Sequence, residues 1–277
     1  MTGEFVLFIV FVGLTGLAIG SFLNVVIYRI PAGRSLLPDS ACPNCGTAIR
    51  KRDNVPVVSW IALRGRCRGC QQPISIRYPL VEAGTALAFV LVTARFGSPL
   101  FEARTLSDSI AAVVELIAFL LLTAMSIALA LIDLDTKRLP NLLVLTALIS
   151  GVVLLAAAAL VRGDLGALLG AAIGGAALFA LYFLLAVVSR GGMGMGDVKL
   201  SAVLGLYLGF LGWGNLVVGA FAAFLLGGLV GVGMMIARKA GRKTAIPFGP
   251  WMIAGAWIGV FAGEFLAAGY IDAVTFA

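Results

Sequence analysis

Apolar runs of about 20 residues recur along this chain, and each is long enough to cross a bilayer as a helix. Eight are readable, over 5–28, 79–96, 109–132, 141–161, 165–189, 198–212, 215–237 and 251–270. Inside lipid the backbone must satisfy its own hydrogen bonds, which leaves helices or a closed barrel. These runs are continuous rather than alternating, so they are helical. Composition agrees: 61% of the 277 residues are hydrophobic and 12% charged, against about half apolar in a soluble domain. The expected fold is an all-α polytopic membrane protein of about eight transmembrane helices. Residues 1–28 are expected to be a retained first helix, because Glu4 and no basic residue precedes the run, unlike a signal peptide. The 198–212 run is short and glycine-rich.

A net charge of +7 raises the question of nucleic acid, and its distribution answers it. With the N-terminus outside and eight crossings, the inward loops hold 17 of the 20 Lys and Arg, leaving Arg95, Arg104 and Arg162 outside. The positive-inside rule therefore predicts both termini outside, with 29–78 and the 133–140, 190–199 and 238–247 turns in the cytosol. No nucleic-acid partner is expected; the charge reports topology, and the bilayer is the partner.

Residues 29–78 form the one sizeable polar segment, and they contain all four cysteines, in "CPNCG" and "CRGC". Cys42, Cys45, Cys67 and Cys70 form two C-x2-C pairs, and two such knuckles can aim four thiolates at one tetrahedral Zn²⁺. Gly46 and Gly69 are expected to form the tight turns. Two disulfides or unrelated thiols are the alternatives, but disulfides rarely persist in the cytosol where the charge rule places this loop. A four-thiolate site has no open position, so the metal is expected to be structural. The arginines of "RGRCR" suit lipid headgroups.

The chain has no histidine, which excludes Ser-His-Asp and Cys-His devices and leaves acid–base chemistry to other side chains. Carboxylates at membrane depth are costly and point to function. Asp133 and Asp135 end the third run in "LIDLDTKRLPN". Asp197 opens the sixth in "GGMGMGDVKL". One carboxylate from each, on the same face of the membrane, can form a pair that shares a proton. Asp133 and Asp135 are separated by about 200° on a helix, so one of them faces Asp197; Asp133, nearer the apolar run, is the candidate. Helix ends predict Asp197, at a helix start, as the ionised base and Asp133, at a helix end, as the neutral partner. Glu82 is a candidate to join the site. Glu115 and Glu264 suit polar packing, and Lys199 either snorkels or holds substrate. The glycine pattern lacks the Lys-Ser/Thr of a phosphate loop.

These blocks together resemble the bacterial type IV prepilin peptidases, in the GxGD group of membrane aspartyl proteases. The resemblance is carried by "GSFLNVVIYRIP", the four-cysteine loop, "VPVVSWIALRGRCRGC" running to "IRYPLVE", "IDLDTKRLPN" and "GMGMGDVKL", in that order. It implies that Asp133 and Asp197 are catalytic, supported by Gly194 and Gly196. It implies domains at 1–28 (first helix), 29–78 (cytosolic zinc loop) and 79–277 (membrane-embedded protease). It further implies an inner-membrane enzyme that removes a short basic leader, after a glycine, from prepilins and type II secretion pseudopilins. By the same resemblance it N-methylates the new terminus with S-adenosylmethionine. Two readings compete from the residues alone. One is a secondary transporter using paired aspartates as a cation or proton site, though both aspartates lie at one surface and not at the midplane. The other is a zinc-stabilised scaffold.

Overall fold

The computed structural model describes residues 3–37, 40–189, 193–237 and 247–275. Helices account for most of them. They are α1 Gly3–Arg29, α2 Val58–Ala62, α3 Arg77–Phe96, α4 Ser98–Glu102, α5 Leu106–Thr136, α6 Asn141–Arg162, α7 Leu165–Val188, α8 Met195–Leu211, α9 Trp213–Ile236 and α10 Gly249–Thr275. Among the described residues no strand forms; two isolated bridges, Ala41 with Ala48 and Arg66 with Pro73, are the extended pairings.

Local chemistry sets the ends of these helices. The Thr105 hydroxyl accepts the Asp108 N–H at 3.1 Å and the Asp164 carboxylate accepts the Ala167 N–H at 2.9 Å, capping α5 and α7. Gly163, at φ +73°, ends α6 in the left-handed conformation that glycine adopts without penalty. Pro140, extended, sets the start of α6.

Among the described residues seven stretches are long and apolar enough to span a membrane: α1, α3 with α4, α5, α6, α7, α9 and α10. The run expected at 198–212 is a helix too, but a different kind. α8 has 17 residues, about 25 Å at 1.5 Å per residue, and 11 of them are buried. It is packed by α6, α7, α9 and α10. Its apolar character therefore reflects protein contact on all sides as much as lipid contact.

The chain divides into two compact units: 1–102 with 119–128, and 103–118 with 129–277. α5 contributes its middle to the first and its ends to the second. In the first unit α1 and α3 cross through small residues. A Cβ on Gly16 would lie 2.8 Å from the Ala86 backbone, and one on Gly20 2.7 Å from that of Glu82. Such close approach is how apolar helices associate where hydrophobic burial gives no net gain. One turn further on, the Asn24 amide donates to the Tyr78 carbonyl at 3.1 Å.

In the second unit α7 and α8 make the same kind of crossing. A Cβ on Gly170 would lie 2.5 Å from the Gly209 carbonyl oxygen, and one on Gly174 2.5 Å from that of Gly205. α9 and α10 pair alongside, where the Asn215 amide donates to the Gly259 carbonyl at 2.9 Å. Glu115 on α5 pairs with Arg162 at the end of α6, at 2.9 Å, which accounts for one intramembrane carboxylate as structural.

Candidate active site and cysteine centre

Asp133 lies in the last turn of α5 and is 4% exposed, whereas Asp135 is exposed. Helical phase thus selects Asp133 as the inward carboxylate. Asp197 is the third residue of α8, and its carboxylate accepts the Gly194 N–H at 3.3 Å. The reach from the first turn back to the cap satisfies one of the free N–H groups at the helix start. The charges of Asp133 and Asp197 interact.

The segments bearing them are tied together by contacts that explain the residues around each. Leu139, between α5 and α6, packs on Gly196, where a Cβ would lie 2.9 Å from the Leu139 Cβ. Gly196 is therefore required for close approach, and Gly194 supplies the N–H that orients Asp197. Lys199 donates to the Asn141 side-chain oxygen at 2.9 Å. The first turns of α8 and α6 are joined by that bond, so Lys199 acts within the protein in this structure.

A third element meets Asp133 that sequence reasoning missed. The Gly249 N–H, at the start of α10, donates to Asp133 Oδ2 at 3.1 Å. A Cβ on Gly249 would lie 2.8 Å from that oxygen, so the position admits no side chain without displacing the carboxylate. The signal available was Gly249-Pro250, a helix-start pair, but nothing in the sequence says which acid such a start will meet. The contact also alters the expected division of labour. Asp133 ends its own helix yet sits at the start of another, so each carboxylate receives one backbone N–H. Helix-end electrostatics alone therefore assigns the shared proton to neither.

Glu82 is buried in the first unit, where its carboxylate accepts the Val57 N–H at 2.7 Å. Val57 has φ +61° and ψ −50°, and the Val58 N–H bonds the Pro56 carbonyl at 2.6 Å across it. This is a strained γ-turn for a β-branched residue, and Glu82 holds it in place.

The four cysteines come together as the spacing predicts. Their sulfurs all lie within 4.8 Å of one another, and Cys42 Sγ to Cys70 Sγ is 3.8 Å. A tetrahedron with metal–sulfur bonds of about 2.3 Å has sulfurs about 3.8 Å apart; a disulfide needs about 2.0 Å. The two knuckles are built alike. Cys42 N–H bonds the Thr47 carbonyl at 3.0 Å, and Cys67 N–H bonds that of Gln72 at 2.9 Å. In the first, Gly46 turns the chain at φ +69°, as expected. In the second the equivalent position is Gln71 at φ +59°, not Gly69, because the left-handed residue follows the second cysteine in each knuckle.

Hydrogen bonds with Thr47, side chain and then backbone, pull the Cys45 thiol down to about 6. At Cys70 the Gln72 backbone pulls downward, but burial and the neighbouring thiols outweigh it and push that thiol up to about 11. Four thiols this close cannot all ionise unless a cation neutralises them, so the donor set fits a metal ion. Around them, Arg68 forms a two-point ion pair with Asp53 at 2.7 and 2.8 Å, and the Trp60 ring covers Gly65 while its N–H bonds the Ile74 carbonyl at 3.0 Å.

Residues 14–96 match the model of the bacterial peptidase A24 N-terminal domain, and residues 120–232 that of the type IV leader peptidase family. The chain is 37% identical to a protein of Pseudomonas putida named prepilin leader peptidase/N-methyltransferase, over 97% of this chain and 96% of that one. Proteins of the same name from Aeromonas hydrophila and Neisseria gonorrhoeae are 37% and 36% identical, over 93% and 88% of this chain and 92% and 86% of theirs. No solved structure matches.

Proposed function

Because the chain belongs to the type IV leader peptidase family, we propose that Asp133 and Asp197 are the catalytic pair of a prepilin-processing endopeptidase. The observation that carries this reading is the convergence on one site of two acids from different helices, each oriented by a backbone N–H, in a chain without histidine. In the reaction one carboxylate takes a proton from water, which attacks the scissile carbonyl, while the protonated partner donates to the carbonyl oxygen. The tetrahedral intermediate then collapses as its C–N bond breaks, and a carboxyl proton passes to the departing amine.

Both acids lie in end turns of their helices, so the substrate's own membrane helix can stay in lipid while its leader junction enters the site. The substrates are prepilins and type II secretion pseudopilins, cut after a glycine. The distribution of basic residues supports a site and a cysteine loop at the cytosolic face of an inner membrane, with both termini outside. Nothing in the comparisons favours the transporter reading.

The metal at Cys42, Cys45, Cys67 and Cys70 is Zn²⁺ in a structural role. The enzyme is bifunctional: it also methylates the new N-terminus, with S-adenosylmethionine as donor. We assign no group of described residues to that donor.

The test is reconstitution with a tagged prepilin. Asp133→Asn and Asp197→Asn should each lose about 10²- to 10⁴-fold in leader removal. Wild-type cleavage by either variant would remove that residue from the mechanism.

A further inference from the structure

The crossing of α7 and α8 has a fixed register, and it reaches the active site. Gly170 lies opposite Gly209 and Gly174 opposite Gly205. One turn nearer the site, the Ser201 hydroxyl donates to the Leu178 carbonyl at 3.2 Å. Each four-residue step along α7 is matched by four residues back along antiparallel α8. The next step puts Tyr182 opposite Asp197.

Tyr182 is built into this place from other helices as well. It is 2% exposed. Its ring lies 5.2 Å from that of Phe224 on α9 and 6.3 Å from that of Phe248. Phe248 adjoins Gly249, the donor to Asp133. The ring therefore packs against the element that orients one aspartate while its register sets it beside the other. Buried phenols usually find a hydrogen-bond partner. Tyr182 also lines a cavity of about 10 Å³ with Ser201 and Met252, on the order of a single water.

We propose that Tyr182 is a positioning residue for Asp197, its phenol donating to that carboxylate and holding it as the anion that activates water. This rests on the peptidase reading of Asp133 and Asp197. Among the described residues the other titratable group facing Asp197 is Asp133 from α5; Lys199, two residues on along α8 and so turned about 200° away, is engaged by Asn141 of α6. From the start of α10 come Phe248 and Gly249, which do not titrate. A donor to the anionic form keeps the base deprotonated to lower pH, so removing it moves the acidic limb of the pH–rate profile upward.

The experiment compares prepilin cleavage by wild type, Tyr182→Phe and Asp197→Asn, each full-length in membranes, from pH 5 to 9. Tyr182→Phe keeps the ring contacts and loses the donor. It should lower kcat about 10- to 100-fold with KM within about twofold, and raise the acidic limb by about one unit. A merely structural tyrosine would leave the limb where it is. Replacing Tyr182 with 3-fluorotyrosine strengthens the donor without changing the packing, and should move the limb the other way; this arm decides if Tyr182→Phe folds poorly. An unmoved limb in Tyr182→Phe, or limbs moving the same way in both variants, overturns the proposal. If Asp197→Asn is inactive at the same time, the peptidase reading stands; if Asp197→Asn cleaves like wild type, that reading itself falls.

Discussion

Substituting Gly174 by alanine separates the packing of the site from its chemistry, because Gly174 lies two helical turns from Tyr182 and touches no acid. A Cβ there would lie 2.5 Å from the Gly205 carbonyl oxygen and 2.8 Å from the Gly209 Cα, both backbone atoms of a buried helix. Ordinary contact begins at 3.4 Å, so α7 and α8 must part locally by about 0.9 Å. Overpacking of this kind costs about 1–3 kcal/mol. Alanine returns about 1 kcal/mol of helix propensity, so the net loss of stability is about 0–2 kcal/mol. The catalytic effect should be larger. Asp197 rides on α8, and a misplacement of about 1 Å in a catalytic group costs about 10²-fold.

Gly174→Ala should therefore remain folded, with a modest fall in thermal midpoint, yet cleave prepilin 10- to 100-fold more slowly, on the scale of that misplacement. Gly228→Ala is the control: it lies on α9, and a Cβ there meets nothing within 4 Å. It should be active and slightly more stable. The assay is leader removal from a tagged prepilin in reconstituted membranes, alongside thermal unfolding of the same preparations. Cleavage by Gly174→Ala within twofold of wild type would refute the idea that this crossing sets the position of Asp197.

Gly249→Ala should lose most peptidase activity, since its Cβ would lie 2.8 Å from Asp133 Oδ2; wild-type kinetics would show that the N–H contact plays no part in turnover. Chelation of metal from the purified protein should free four titratable thiols and expose the 29–78 loop to protease, whereas a preparation with no zinc by elemental analysis and an intact loop would exclude the metal. Gln71→Gly relieves a left-handed glutamine and should stabilise the metal-bound loop by up to about 1 kcal/mol; destabilisation would mean the Gln71 side chain contributes more than its backbone costs. Glu115→Gln should leave cleavage unchanged and lower stability by about 1 kcal/mol or less, as expected for a partly exposed ion pair; loss of cleavage would put Glu115 in the mechanism.

How much of this was legible depends on the range of each interaction. Helix positions followed from hydropathy because lipid imposes one requirement on every spanning segment. Helical phase says that only one of Asp133 and Asp135 can face inward and nearness to the apolar run picks Asp133, while the cysteine cluster follows from a spacing that is itself the chemistry. What could not be read were contacts fixed only once helices meet. Gly249 reaches Asp133 across 116 residues of sequence, and no local pattern encodes that distance. Gly69 carries the sequence marker of left-handed backbone in the second knuckle, but the fold demands that conformation at Gln71 instead.

Tyr182 lies between these cases. Gly166, Gly170 and Gly174 on α7, and Gly205 and Gly209 on α8, carry the same four-residue spacing, which allows two glycine-on-glycine registers; the structure adopts the one with Gly174 opposite Gly205. The sequence narrows the register to these two, and the one the structure takes leads in two turns to a tyrosine opposite the aspartate. The glycines before Asp197 drew attention because they adjoin the acid. Those within the two helices set what faces it, once the crossing has taken the register in which Gly174 meets Gly205.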